Sequence, residues 1–267
     1  IFYVADAFRC GMSVDEVQPG MKGYGRTVFQ GTTIEQFDVE VLGVLKNFAP
    51  KQDMILVRLS GGPLERTGVI AGMSGSPVYI NGKLLGAVAF AFPFAKEPIG
   101  GVQPIQQMLS MLDVKASGAP QVARGGGGSF PAESPASFVF GQYRKVMEGQ
   151  PLAQLMLPQS LWNTSPFQTV TGGPSLLPIQ TPLFVSGASS GALREFAQVF
   201  GALGFTPVQA GGGGGASSLP TGQPSRLEPG SSVNIELIRG DLSWSANGTV
   251  TYVDGDKVYA FGHPNLG

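Results

Sequence analysis

The sequence predicts a mainly β fold, and three observations lead to that prediction. Charged residues make up 13% of the chain, well below the usual quarter, and 40 of the 267 residues are glycine. Residues 37–41 alternate apolar with acidic side chains, which is the period of a half-buried strand. Asn81-Gly82 lies between two apolar runs and favours a type I′ hairpin turn, because both central residues of that turn take positive φ.

Strands are expected to fill most of the first 113 residues, joined by glycine-rich turns. The predicted elements, in chain order, are strands at 27–29, 37–45, 54–59, 78–80, 84–92 and 100–105 and a short helix at 104–113. A glycine-dense stretch at 20–25 precedes the first of these strands. Pro104 supports the helix start, because proline at the first helical position removes no intrahelical hydrogen bond.

Glycine and proline divide the rest of the chain into structured segments and linkers. Consecutive glycines at 125–128 and 211–215 mark the linkers. The last segment returns to strands, at 233–238, 248–253 and 256–261, with a tight turn at Asp254-Gly255. We predict an N-terminal lead-in segment at 1–19, a serine-bearing β module at 20–113 and a linker at 114–135. A mixed segment at 136–208, with a helix near 190–203, a second linker at 209–229 and a histidine-bearing β module at 230–267 follow.

Composition excludes several classes of function. The formal net charge of -1 argues against a general binder of nucleic acid or of anionic membranes. Cys10 is the single cysteine, so no intrachain disulfide forms, and no spacing of metal ligands or phosphate-binding loop occurs. Residues 1–8 are apolar but too short to span a bilayer. We therefore expect no metal, no cofactor and no transmembrane segment.

Both ends of the sequence indicate a piece of a longer protein. The chain starts at Ile1 rather than at methionine, and it stops shortly after Gly262-His263-Pro264. We therefore expect the histidine-bearing module to be truncated.

The hexapeptide Gly72–Pro77 has the form Gly-x-Ser-Gly-x-Pro, which suits a serine nucleophile on a tight turn. Its glycines allow positive φ and a close approach of substrate. Backbone amides around Ser74, with Gly72, Met73 and Gly75 as candidates, would then converge where an oxyanion develops. The alternative interpretation is an ordinary turn between two strands.

A serine nucleophile needs a base within hydrogen-bond reach. His263 is the one histidine of the chain, and it follows directly on a predicted hairpin strand. The alternatives are that this histidine is a solvated turn residue, or that one of the lysines in the serine-bearing module acts as the base, namely Lys22, Lys83 or Lys96.

These motifs together resemble the SpoIVB-type serine peptidases. The serine half of that family is similar to residues 37–41, 54–56, 72–77 and 81–88 of this chain, and its histidine segment is similar to 248–252 and 259–263. The resemblance implies a trypsin-like double β-barrel and an extracytoplasmic endopeptidase (secreted, periplasmic or in the cell envelope) that processes proteins or peptides or takes part in signalling. It also implies that Ser74, not Ser76, is the nucleophile and that His263 is the general base.

The chain departs from the family pattern in two respects. The histidine segment follows the serine segment instead of preceding it, and Ser60 or a neighbour stands where the family has an acidic residue. Because no acidic residue is found there, the sequence supports a Ser-His dyad rather than a full triad. The reversed order does not exclude the dyad, since geometry and not chain order defines such a site. Three alternatives stay open: His263 serves another serine beyond residue 267, a missing C-terminal part completes the site, or the module is inactive and binds extended peptides or a protein partner by strand addition.

Overall fold

The computed structural model describes residues 11–49, 52–92, 97–110, 176–202, 204–210 and 226–263, and within these ranges the protein is mainly β, as predicted. The strands are β1 (Lys22–Thr27), β2 (Glu35–Ala49), β3 (Gln52–Ser60), β4 (Pro77–Ile80), β5 (Lys83–Ala91), β6 (Ile99–Pro104), β7 (Leu177–Pro178), β8 (Thr181–Ser186), β9 (Phe205–Gln209), β10 (Ser232–Ile238), β11 (Ser243–Asp254) and β12 (Lys257–Ala260). The helices are a 3-10 turn at Val14–Glu16, α1 (Leu64–Thr67), α2 (Ile105–Ser110) and α3 (Ser190–Ala202). No helix in this part of the chain is long and apolar enough to cross a membrane.

Six antiparallel strands close a barrel around the first core. Their order is β1-β2-β3-β6-β5-β4, and β4 pairs again with β1 to complete the ring. The two-residue strand β7 adds to β5 outside the ring. The barrel prediction is therefore confirmed, and the serine hexapeptide lies at the start of β4, one of the strands that closes the ring.

The barrel interior is built from alternating side chains, as the pattern at 37–41 predicts. Phe37, Val39 and Val41 of β2 are each exposed by 2% or less. The interior is filled by these three and by Ile55, Val57, Leu59, Val78, Ile80, Leu85, Val88 and Val102. Burial of an aliphatic or aromatic side chain of this size contributes roughly 1.5–3 kcal/mol, so this cluster is the main source of the barrel's stability.

The first strand lies earlier than the expected 27–29. β1 runs through the glycine-dense stretch at 20–25, which we expected to precede the strand, because two of its glycines allow close packing against other strands. A Cβ at Gly23 would collide with the Tyr79 carbonyl oxygen of β4, and one at Gly25 with the ring of Phe37. The glycines thus let β1 approach both its neighbour and the core.

Both predicted hairpins form. Asn81 and Gly82 have φ of 51° and 75°, as a type I′ turn requires. The second hairpin turns one residue later than expected, because Asp254 still pairs with Lys257. Its positive φ, 56°, is at Gly255.

A second sheet contains the predicted histidine segment. Its strand order is β10-β11-β8-β9, with β12 paired to β11, and it is open among the described residues. The helix expected near 190–203 is α3, which connects the parallel strands β8 and β9. Phe200 of α3 packs edge-on against Trp244 of β11 with ring centroids 5.1 Å apart. The predicted linker at 114–135, Cys10 and Lys96 lie outside the described residues, as does most of the linker at 209–229.

Candidate active site

Ser74 lies in a tight loop, residues 72–76, which we call the serine loop. Gly72 and Gly75 flank the serine with φ of 93° and 96°, a region that glycine adopts without strain. Ser74 is fully buried, and its Oγ has no hydrogen-bond partner among the described residues. Because an unsatisfied buried hydroxyl costs about 1–3 kcal/mol, such a group indicates a requirement other than stability.

The neighbouring serine has a different environment. Ser76 is also buried, but its Oγ donates a hydrogen bond of 3.0 Å to Oγ1 of Thr27 in β1. This hydroxyl is therefore part of the barrel's internal bonding. The contrast favours Ser74 over Ser76 as the reactive position.

Two of the backbone amides that we predicted to bind the oxyanion already donate hydrogen bonds to carbonyls of the protein itself. The amide of Met73 donates to the carbonyl of Ile70 at 3.2 Å, and the amide of Gly75 donates to the carbonyl of Val88 at 2.8 Å. These two groups hold the shape of the loop and are not available to a substrate.

The amides of Gly72 and Ser74 are different, since neither donates to an acceptor among the described residues. They lie on either side of Met73 in a loop whose other amides are engaged. Gly72 thus stays a candidate oxyanion donor, and the amide of Ser74 itself joins it.

The histidine segment contacts the serine loop directly. In β11, Thr249 donates its amide to the Ser74 carbonyl and its Oγ1 to the Gly72 carbonyl, both at 2.9 Å. Oγ1 of Thr251 donates to the Gly75 carbonyl at 2.7 Å. Two segments that lie far apart in the chain therefore meet, so the reversed order does not separate them.

His263 reaches the same region through the end of β12. Phe261 has a φ of 56°, which is uncommon for a bulky residue, and it directs the chain onto β5. A Cβ at Gly262 would lie 3.0 Å from the carbonyl oxygen of Val88, the group that accepts from the Gly75 amide. Gly75 and Gly262 thus contact one peptide group of β5.

The imidazole of His263 packs on β5 beyond this point. Its ring lies edge-on to Phe90 with centroids 6.5 Å apart, and its Nε2 is buried. The Ser74 Oγ makes no hydrogen bond with it in this structure. The fold therefore brings the two segments together without a formed Ser-His hydrogen bond.

Comparison with known families gives a match over the barrel. Residues 6–109 match the SpoIVB peptidase S55 family. The match confirms the predicted resemblance to this family over the barrel and supports a serine peptidase. It includes the serine loop, whereas residues 230–267 lie outside it, so the histidine half of the resemblance stays a prediction. Comparison with curated proteins and with solved structures gave no match.

Of the lysines considered as the base, Lys22 and Lys83 lie away from the serine loop. Lys83 follows the hairpin at the far end of β4 and forms an exposed ion pair with Glu16 at 3.0 Å. Lys22 begins β1 beside the same end, because its neighbour Gly23 pairs with Ile80. The geometry therefore favours His263 over these two lysines as the base.

A carboxylate lies beside Ser60, in the stretch where the resemblance led us to expect an acidic residue. Ser60 ends β3 and pairs with Asp38 of β2, whose side chain is exposed. Asp38 Oδ2 lies 4.0 Å from a Cβ built on the following residue, Gly61. The order of residues in the sequence does not reveal this neighbour, because it comes from the adjacent strand.

Sequence reasoning missed the residues of β11 that border the serine loop. Besides the two threonines, Asn247 has its Oδ1 3.1 Å from a Cβ built on Gly72, and its Nδ2 donates to Ser232 at 2.7 Å and to Asn234 at 3.0 Å. No spacing rule predicts these contacts. The described residues contain no group of three or more His, Cys, Asp or Glu that could hold a metal ion.

Replacement of Gly75 by alanine is expected to lower the free energy of unfolding by roughly 3 kcal/mol or more. A Cβ there would collide with the Thr249 carbonyl oxygen and lie 2.6 Å from the Phe261 nitrogen, at a φ of 96°. Denaturant unfolding measures the loss. Gly82→Ala is the matched control: its φ is 75°, but nothing lies within 4 Å of a Cβ there, so we expect about 1 kcal/mol. Equal losses in both variants would contradict the close docking of β11 on the serine loop.

Proposed function

We propose that this protein is an extracytoplasmic serine endopeptidase in which Ser74 attacks the peptide carbonyl and His263 accepts its proton. The observation that carries the proposal is the buried Ser74 Oγ, which has no hydrogen-bond partner among the described residues and belongs to a loop in which the amides of Gly72 and Ser74 are unengaged. The match of this barrel to a peptidase family supports it.

The chemistry assigns a role to each group. The Oγ of Ser74 forms a bond to the carbonyl carbon as its proton passes to His263, and the amides of Gly72 and Ser74 bind the oxyanion. The C–N bond then breaks while the imidazolium gives its proton to the leaving amine. Water then attacks the acyl carbon as one of its protons passes to His263. The C–O bond to Ser74 breaks as the imidazolium returns that proton to the serine oxygen. The missing Ser-His hydrogen bond is compatible with this sequence, since such bonds often form only in the substrate complex.

Substrates of this reaction are proteins or peptides, and the residues invoked need no cofactor. The extracytoplasmic location and the role in processing or signalling rest on the resemblance to SpoIVB-type peptidases.

A second function is a catalytically inactive module that binds extended peptides. Two features favour it: Ser60 or a neighbour stands where the resemblance implies an acidic residue, and β10 is an edge strand with the exposed aliphatic side chains Ile235 and Leu237. An extended peptide would add to such an edge through backbone hydrogen bonds.

A fluorophosphonate probe separates the two functions. We expect the folded protein, tested both as this chain and in its full-length form, to react, and peptide mapping to find the modification on Ser74. Denatured protein is the control and is expected not to react, because the hydroxyl then lacks its base. A full-length protein that stays unlabelled, or that carries the label on Ser76, would refute the peptidase mechanism.

A further inference from the structure

Three peptide groups of the serine loop are held at both ends by hydrogen bonds. The first joins Gly72 to Met73. Its carbonyl accepts from Oγ1 of Thr249 at 2.9 Å, and its N–H donates to Ile70 at 3.2 Å. A peptide group fixed at both its donor and its acceptor cannot rotate without losing a bond.

The second group joins Ser74 to Gly75. Its carbonyl accepts from the Thr249 amide at 2.9 Å, and its N–H donates to Val88 at 2.8 Å. This group is fixed by backbone atoms alone, from β11 on one side and β5 on the other.

The third group joins Gly75 to Ser76. Its carbonyl accepts from Oγ1 of Thr251 at 2.7 Å, and its N–H donates to the Met73 carbonyl at 2.9 Å. The N–H groups left over in the loop are those of Gly72 and Ser74, the candidate oxyanion donors.

We propose that the hydroxyls of Thr249 and Thr251 are positioning groups that set the direction of these two amides. The inference rests on the proposed function and adds residues that the family match, 6–109, does not contain. Alternate residues of a strand face the same side, so both side chains of β11 are directed at the loop. Both threonines are almost fully buried, at 2% and 0% exposure.

The inference gives the histidine segment a second role besides supplying the imidazole. Each hydroxyl is the donor to a buried carbonyl of the serine loop, so an apolar residue in its place leaves that carbonyl unsatisfied. The loop would then lose the bond that fixes a peptide group. The reactivity of Ser74 therefore depends on β11 even in a variant that keeps His263.

The test compares Thr249→Val and Thr251→Val with Thr249→Ser and Thr251→Ser, since valine keeps the shape and serine keeps the hydroxyl. Thr206→Val is the control, because Thr206 of β9 donates its hydroxyl to the side chain of Gln180 and to no group of the serine loop among the described residues. We measure fluorophosphonate labelling of Ser74 and amide hydrogen exchange at Met73, in the peptide group that the Thr249 hydroxyl binds, and at Ser76, in the peptide group that the Thr251 hydroxyl binds. Each valine variant is expected to lower the maximal labelling rate and to raise exchange by roughly tenfold, the size of one lost hydrogen bond, with unchanged probe binding.

The serine variants are expected to keep both values within about threefold of the parent, and Thr206→Val to change neither. Valine variants that label and exchange like the parent would overturn the inference, as would serine variants that lose as much as the valine ones. If the parent protein itself is not labelled, the proposed peptidase fails. The exchange comparison between valine and serine then decides the positioning role alone.

Discussion

Replacing Ser74 by alanine is expected to remove fluorophosphonate labelling and to lower peptide hydrolysis by more than roughly a thousandfold. The change deletes the one atom that forms the bond to the carbonyl carbon. It also removes a buried Oγ that has no partner among the described residues. The free energy of unfolding is therefore expected to stay equal or to rise by up to about 1 kcal/mol.

Ser76→Ala is the matched control for this prediction. It deletes a serine hydroxyl from the same loop, but one that donates to Thr27. We expect it to keep labelling and to lose about 1 kcal/mol of stability. Labelling of the Ser74 variant at the parent's rate, or loss of labelling only in the Ser76 variant, would contradict the assignment of the nucleophile.

Replacing His263 by alanine is expected to lower the rate of hydrolysis by roughly a thousandfold or more while substrate binding changes little. Without the imidazole, Ser74 has no group to accept its proton as it attacks. The dependence of the rate on pH is the second readout: the fall in rate on the acid side, which comes from protonation of the base, should disappear in the variant.

Lys83→Met serves as the control for the choice of base. It breaks the exposed ion pair with Glu16 at the far end of β4, so we expect activity and pH dependence to stay as in the parent. A His263 variant with the parent's rate would remove the histidine from the mechanism. Loss of activity in the Lys83 variant would then point to a lysine base.

The sequence correctly predicted those strands and turns whose conformation is determined by residues next to one another in the chain. The alternation at 37–41 and the Asn81-Gly82 turn each depend on neighbouring residues, and both are as expected. β1 lies in the glycine-dense stretch that we expected to precede the strand. Gly23 and Gly25 are needed there because Tyr79 and Phe37 of other strands leave no room for a Cβ. Packing between distant parts of the chain cannot be inferred from the glycines alone.

The same limit applies to the candidate site. The hexapeptide identifies Ser74, because its glycines and their spacing are a local signal. Which amides stay available depends on acceptors elsewhere, such as the Val88 carbonyl that engages Gly75. Thr249 and Thr251 lie in the stretch that resembles the histidine segment, but the sequence does not indicate their role, because it comes from hydroxyl bonds to a loop 177 and 176 residues away in the chain.

The carbonyl of Ser74 occupies a position in the ladder of the second sheet. β11 pairs with β8 over residues 243–246 and with β12 from Val250 onward, and at Thr249, between these partners, its amide bonds to Ser74. The serine loop is thus hydrogen-bonded both to the closed barrel, through Val88, and to the open sheet, through Thr249. Melting of either part would break the bond between Thr249 and Ser74, so we expect the barrel and the sheet to unfold in one cooperative transition.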